Sequence, residues 1–368
     1  MKTLVRVGTA AAVCLMVWGG IAAPAPALAA ATAMMQSEQA GQAASPSFRL
    51  NVDGEASKHK ALSVEQVTML PLSFLNEDLG LTASYDAQAK AIAVKAPNRE
   101  VVALADGSDV TVNGHELSKG YTVRQIGGEW YVPLPLLTGH MGYEAHWIAD
   151  TKTVVLSKIR ENDILWTNVS INKETQDVTV TVQYPQLKGL KSGDVEVQIN
   201  ELFAKEAERF VDAALAESKG AFNDIGFQYD YYLDYSMKYN RNDVVSVQFQ
   251  SYVYQGGAHG IPARTDYTIN LNTGKVYTLN DLLQSNPNYK DPINAVVKKG
   301  LQEIALYEEG HEFAFRTISD NPSFYVKDEG VVVYFDVYEY TPYAAGFPEF
   351  YFRFSALLPE LPEGELPF

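Results

Sequence analysis

Between Val244 and Tyr254 apolar and polar side chains alternate, with Val245, Val247, Phe249 and Val253 on one parity and Ser246, Gln248, Gln250, Tyr252 and Tyr254 on the other. A period of two is that of a strand with one buried face. The pattern breaks at Gly256-Gly257-Ala258-His259-Gly260, where three glycines in five residues permit positive φ and close backbone approach. The chain can therefore turn sharply into a second strand, Arg264 to Leu271. Asn272-Thr273-Gly274 then closes a hairpin into Lys275 to Thr278. Upstream, alternation predicts a strand over Val178 to Val182. It also predicts a long hairpin of Phe227 to Tyr239 with Val244 to Gln255, turning at Asn240-Arg241-Asn242-Asp243.

Two segments repeat at three and four instead. Ser192-Gly193-Asp194 offers a cap for a helix from about Val195 to Lys219, with Ile199, Leu202, Phe203, Ala207, Phe210, Val211, Ala214 and Leu215 on one stripe and Gly220 as its stop. Asp291 with Pro292 opens a second helix, whose stripe is Ile293, Val296, Val297, Leu301 and Ile304. Strands are expected after it at Phe324 to Lys327, Val331 to Glu339 and Phe350 to Phe354.

Ahead of these lies an internal repeat. Leu70-Pro71-Leu72-Ser73-Phe74-Leu75 matches Val132-Pro133-Leu134-Pro135-Leu136-Leu137, and the same offset of 62 pairs Gly80 with Gly142, Tyr85 with Trp147 and Lys90 with Lys152. Asp53-Gly54 and Asn113-Gly114 mark turns near the start of each copy. Each copy reads as a hairpin, a short helix entered after the proline, and a returning hairpin whose aromatic packs on that helix. The expected fold class is α+β: a tandem-repeat domain over residues 48–157, with repeats at about 48–94 and 108–156, then two helix-on-antiparallel-sheet units over 166–260 and 261–360. Residues 158–165 are charged and short, which suits a hinge, and 361–368 form a tail.

Composition narrows the setting. Lys2 and Arg6, an apolar run from Val7 to Ala23 and Ala27-Leu28-Ala29 predict an export signal over residues 1–29, followed by a flexible leader over 30–47. An uncleaved signal would be the means of membrane attachment. The single cysteine, Cys14, lies inside that run, so the exported chain would hold no disulfide and rely on its core. The formal charge is −16, and residues 164–368 alone carry 29 acidic against 16 basic side chains, or −13. Nucleic acid and anionic membrane are disfavoured partners, whereas a basic protein or a neutral glycan is allowed.

The common catalytic and metal-binding signatures are absent, and the six histidines are scattered at His59, His115, His140, His146, His259 and His311. No catalytic residue, metal or cofactor is therefore expected. The candidate binding residues are Tyr254, His259, Tyr340, Tyr343 and Glu349, with Gly256, Gly257 and Gly260 as turn residues. His259 would be presented by the glycine corner. The prolines and glycine of Tyr338-Glu339-Tyr340-Thr341-Pro342-Tyr343-Ala344-Ala345-Gly346-Phe347-Pro348-Glu349 would fix a loop bearing rigid tyrosines, good contact groups for protein or sugar. The alternative is a wall-modifying hydrolase using His259 with Glu339 and Glu349.

The repeat resembles the copper amine oxidase N-terminal-like domain, or stalk domain, and departs from it at Ser73 and Pro135, where that family has a basic residue. Asn288-Tyr289 is followed by Lys290 and no His-x-His occurs, so neither copper nor oxidase chemistry is expected. The Tyr254 to Gly260 stretch, Thr278-Leu279-Asn280-Asp281-Leu282-Leu283 and Tyr340 to Gly346 resemble the paired domains DUF4163 and DUF3298. That pair forms the extracellular part of RsiV-like anti-sigma factors, which bind lysozyme, and accompanies some peptidoglycan deacetylases. With six residues ahead of Val7 and no metal-binding catalytic domain before Phe368, the resemblance implies only the recognition module. The expected protein is non-enzymatic, secreted or cell-wall associated in a Gram-positive type cell, and binds an extracellular protein such as lysozyme, or peptidoglycan.

Overall fold

The repeat is written into the backbone. A computed structural model describes residues 46–117, 120–221, 226–304, 314–362 and 364–368; the expected signal, nearly all of the leader, and His311 lie outside the described residues. Helices Leu72–Glu77 and Leu134–His140 each start directly after a proline in extended conformation, Pro71 and Pro133. The equivalent positions Lys90 and Lys152 have φ of 51° and 50°, and Gly80 and Gly142 have 64° and 72°. Strand Val67–Pro71 pairs antiparallel with Glu129–Pro133, and Leu70 faces Val132, its own repeat equivalent. That register is the one a local twofold axis produces, because only the pair on the axis meets its own counterpart while its neighbours exchange partners, Met69 facing Pro133 and Pro71 facing Tyr131.

Away from the axis the copies separate. The second returning hairpin, Tyr143–Ile148 with Thr153–Lys158, joins a seven-stranded sheet in which Thr153–Lys158 runs parallel to Ser47–Val52. The first, Thr82–Asp86 with Ala91–Ala96, opens a five-stranded sheet continued by Arg99–Leu104, Val110–Val112 and His115–Glu116. Trp147, expected on the helix, is 50% exposed and meets the edge of Phe48 instead.

A six-stranded sheet follows, in the order Leu165–Glu174, Val178–Lys188, Tyr229–Arg241, Val244–Tyr254, Ile261–Asn270 and Val276–Tyr277. It is not wholly antiparallel as expected: Val178–Lys188 and Tyr229–Arg241 run parallel. The reason is the helix Gly193–Glu217 between them, which carries the chain back to the end it left. Ser192 caps that helix by accepting from Val195 N–H at 3.4 Å, and Ile199, Phe203, Ala207, Val211 and Ala214 are its buried stripe. Phe203 meets Phe249 on the apolar parity of the central strand, ring centroids 5.8 Å apart.

The polar parity of the same strand is covered too. Sheet Phe324–Lys327, Gly330–Tyr334 and Glu349–Arg353 packs across it, Val326 N–H donating to Ser246 Oγ at 3.2 Å while Ser246 bonds Thr268. Strands Ile261–Asn270 and Val276–Tyr277, expected to begin the last unit, complete the sheet of the one before it. The C-terminal helices are Leu279–Leu283, opened by a capping box of Thr278 and Asp281, Lys290–Glu303, which starts one residue before Asp291, and the single turn Phe354–Leu357.

Residues 158–165 are not a loose hinge. Glu161 pairs with Arg99 of the repeat at 3.0 Å. Asn162 donates to Asn240 Oδ1 and to the Val244 carbonyl at 2.9 Å, and its own Oδ1 accepts from Asp243 N–H at 2.8 Å. Ile164 is buried, and Asn113 Nδ2 donates to the Trp166 carbonyl at 2.8 Å.

Candidate functional site

The glycine corner holds its shape for three separate reasons. Gly256 has φ of 99°, and a Cβ there would lie 2.7 Å from Phe227 Cζ. Gly257 has φ of 92° with nothing within 4 Å, so its constraint is dihedral alone. Gly260 has no left-handed φ, but a Cβ would stand 2.5 Å from the Tyr252 ring and 2.6 Å from the Val253 carbonyl. Tyr254 Oη donates to the Gly257 carbonyl at 3.2 Å, and Gly260 N–H donates to Tyr252 Oη at 2.8 Å. With the backbone thus pinned, His259 Nδ1 lies 2.9 Å from the Gly260 carbonyl and its ring stands exposed.

The tyrosine loop arrives over this ring. Pro342 leads into a 3-10 turn over Tyr343–Ala345 that Gly346 ends at φ of 65°. Tyr343 stacks on His259, centroids 3.8 Å apart and planes 18° apart. Tyr338, itself at φ of 68° and 57% exposed, closes the group: its ring lies 5.8 Å from Tyr343 and its hydroxyl 3.4 Å from His259 Nε2. The result is a surface of three aromatic rings contributed by two loops, with the Tyr254 and Phe227 rings stacked at 6.1 Å on the same corner.

The other candidates point elsewhere. Tyr340 turns inward, edge-on to Phe335 at 5.0 Å and Phe315 at 5.4 Å. Glu349 accepts from Arg264 Nη1 at 2.6 Å and from Tyr325 Oη at 3.0 Å, so each carboxylate oxygen is engaged. Arg264 is itself laid over the Phe347 ring at 3.9 Å. Glu339 accepts from Asp336 N–H at 3.0 Å, and burial pushes its carboxyl up. Neither His259 nor either glutamate lines any of the three cavities, of about 280, 380 and 230 Å³, found around the repeat and its junction.

Family models match three successive stretches: copper amine oxidase N-terminal domain over residues 51–156, deacetylase PdaC over 171–262, and the protein of unknown function DUF3298 over 280–355. The stretch expected to resemble DUF4163 is the one matched under the deacetylase description. The anti-sigma-V factor RsiV of Bacillus subtilis (strain 168) is 24% identical over 197 residues, half of this chain and 66% of its own length. This chain thus spans just under two thirds of that relative. Two crystal structures of DUF3298 family proteins, from Bacteroides fragilis and Pseudomonas aeruginosa, align at 17% and 18% identity over 53% and 54% of this chain and 93% and 94% of theirs, with TM-scores of 0.40 and 0.39.

Copper, which the first match brings to mind, does not fit the residues present. His59 lies 3.1 Å from Ser73 Oγ, His115 is bonded to Asp234, and His140 takes the Tyr121 hydroxyl at 2.8 Å. Among the described residues no three His, Cys, Asp or Glu side chains gather to hold a metal ion. Among the same residues no helix is long and apolar enough to cross a membrane.

Sequence reading missed a buried carboxyl on the strand that follows the glycine corner. Asp266 accepts from Gln248 Nε2 at 3.0 Å and from the Tyr334 hydroxyl, and burial pushes its carboxyl up to about 6 despite those bonds and the Lys238 and Arg264 charges. Tyr338 was readable as one tyrosine of the loop, but its part in the ring group depends on a contact between distant segments.

Proposed function

We propose that this chain is a non-enzymatic cell-envelope recognition protein that holds a basic extracellular protein of the lysozyme kind against the surface formed by His259, Tyr338 and Tyr343. The observation that carries the proposal is the stacking of His259 on Tyr343: two backbone-fixed loops converge to display rigid rings rather than to enclose a reaction. Aromatic groups with few rotors lose little entropy on contact, which suits them as anchors. Similarity to an anti-sigma factor, the resemblance to the lysozyme-binding extracellular module and the −13 carried by residues 164–368 support a basic protein partner. The hydrolase alternative lacks comparable support, since Glu349 is committed to Arg264 and Tyr325.

Charge complementarity speeds encounter more than it tightens the final complex, and exposed charges are screened over about 8 Å at physiological ionic strength. Lysozyme titrated into the whole chain by calorimetry, with association followed by stopped flow, should bind at low and moderate salt and associate more slowly at the higher salt. Absence of binding at both would remove lysozyme as the partner. Binding of wall fragments in its place would make glycan the ligand of the same rings.

A further inference from the structure

Where the repeat meets the six-stranded sheet, buried donors outnumber the groups available to accept from them. Arg99 donates through Nη1 to the His140 carbonyl of the repeat's own second helix at 2.8 Å and through Nη2 to Glu161 of the connecting segment, yet its Nε–H has no partner. Trp166 Nε1, the Tyr235 hydroxyl and Asn240 Nδ2 are likewise buried and unpartnered. The four residues are 9%, 6%, 3% and 5% exposed, and all line one cavity of about 280 Å³ at this seam. An unsatisfied buried polar group is costly, and native structures carry few. Four around one cavity, every one of them able to donate, mark a place suited to an acceptor.

The charges agree. In a chain of formal charge −16, this cavity is lined by Arg99, Arg241, Lys327 and Lys238, the last held below the ordinary lysine range by burial, against two carboxylates, Glu161 and Asp328, which pair with Arg99 and Arg241. Burial, with help from the Arg99 and His115 charges, holds His140 down at about 4, so its imidazole adds no charge near neutral pH. Burial also holds the Tyr235 phenol far above its ordinary range, so it stays an O–H donor. His115, stacked on Tyr235 at 4.2 Å and bonded to Asp234, fixes that phenol ring from the repeat side.

We propose that this seam cavity binds a small oxyanion, a carboxylate or phosphate group accepting from Arg99 Nε, Trp166 Nε1 and the Tyr235 hydroxyl. The four unpartnered atoms are fully covered in the free protein, so the ligand enters by parting the seam slightly and is then held by both sides. Binding would tie the repeat to the recognition sheet, independently of what docks on the aromatic surface.

The test titrates the whole chain with D-alanyl-D-alanine and with inorganic phosphate, each against sodium chloride at matched ionic strength, reading tryptophan fluorescence and thermal midpoint. A saturable change with the dipeptide, with phosphate or with both, beyond the chloride control, is expected, and the two arms tell carboxylate from phosphate. Tyr235→Phe should weaken that binding at least tenfold while leaving the free protein no less stable, because it deletes a hydroxyl that bonds nothing. Trp166→Phe should weaken it similarly in the thermal readout. No saturable change in either arm, unweakened binding by Tyr235→Phe, or a large loss of stability in the free Tyr235→Phe protein would overturn the proposal.

Discussion

At Gly257 and Gly260 one residue type answers two different constraints. Gly257 needs its left-handed φ of 92° but has open space, so Gly257→Val should cost about 1–3 kcal/mol, read by chemical denaturation. Unchanged stability would mean that the corner relaxes freely. At Gly260 the obstacle is the Val253 carbonyl 2.6 Å from the added carbon, and backbone cannot give way as a side chain can. Gly260→Ala should therefore cost more than Gly257→Ala; equal losses would contradict the distinction. The glycine cluster was legible as a corner, but which glycine obeys which constraint depends on Tyr252 and Phe227 approaching in space. Asp266 was illegible for a similar reason, since what buries it, the sheet beginning at Phe324, comes much later in the chain. Its carboxyl is raised from 3.8 to about 6, so between those values the folded state binds more protons than the unfolded one. Stability should then fall as pH rises through that window and stay lower above it, by on the order of 3 kcal/mol. Denaturation at pH 4 and pH 7 should show a smaller difference for Asp266→Asn than for the parent chain; an identical difference would contradict the assignment.

Among elements, those set by local pattern were readable and those set by partners were not. The long helix follows from its stripe and its cap, and it begins at Gly193 because Ser192 satisfies Val195 N–H. Ser192→Ala should cost about 1 kcal/mol, and a loss near zero would show that the 3.4 Å bond contributes nothing. The central strand's alternation was also readable, but the second face is buried too, because Ser246 and Thr268 are sealed by a sheet whose arrival no local pattern announces. Parallel pairing of Val178–Lys188 with Tyr229–Arg241 escaped notice because alternation carries no strand direction.

For the whole molecule, the repeat and the C-terminal sheets are stitched into one compact unit from Ser47 to Phe368 rather than strung on a hinge. The Arg99–Glu161 pair, with side chains 7% and 23% exposed, fastens the repeat to the connecting segment, which Asn162 in turn fastens to Asn240 and Val244 of the sheet. Glu161→Ala strands a buried guanidinium, and breaking one side of such a pair costs about 3 kcal/mol or more. Far-ultraviolet circular dichroism and tryptophan fluorescence should also report one shared unfolding transition; two separate transitions would restore the hinge. The residues of the proposed recognition surface, His259 and Tyr343, were legible singly from their glycine and proline surroundings. Their contact was not, because it joins loops far apart in the chain, and the same gap hides that Tyr340 turns inward onto Phe335 and Phe315 and that Glu349 is engaged by Arg264 and Tyr325. The most direct measurement is lysozyme affinity of Tyr343→Ala beside the parent chain, with thermal stability of both recorded. A loss on the order of 2 kcal/mol in binding with stability nearly unchanged is the predicted result; lysozyme binding untouched by Tyr343→Ala would contradict the assigned surface.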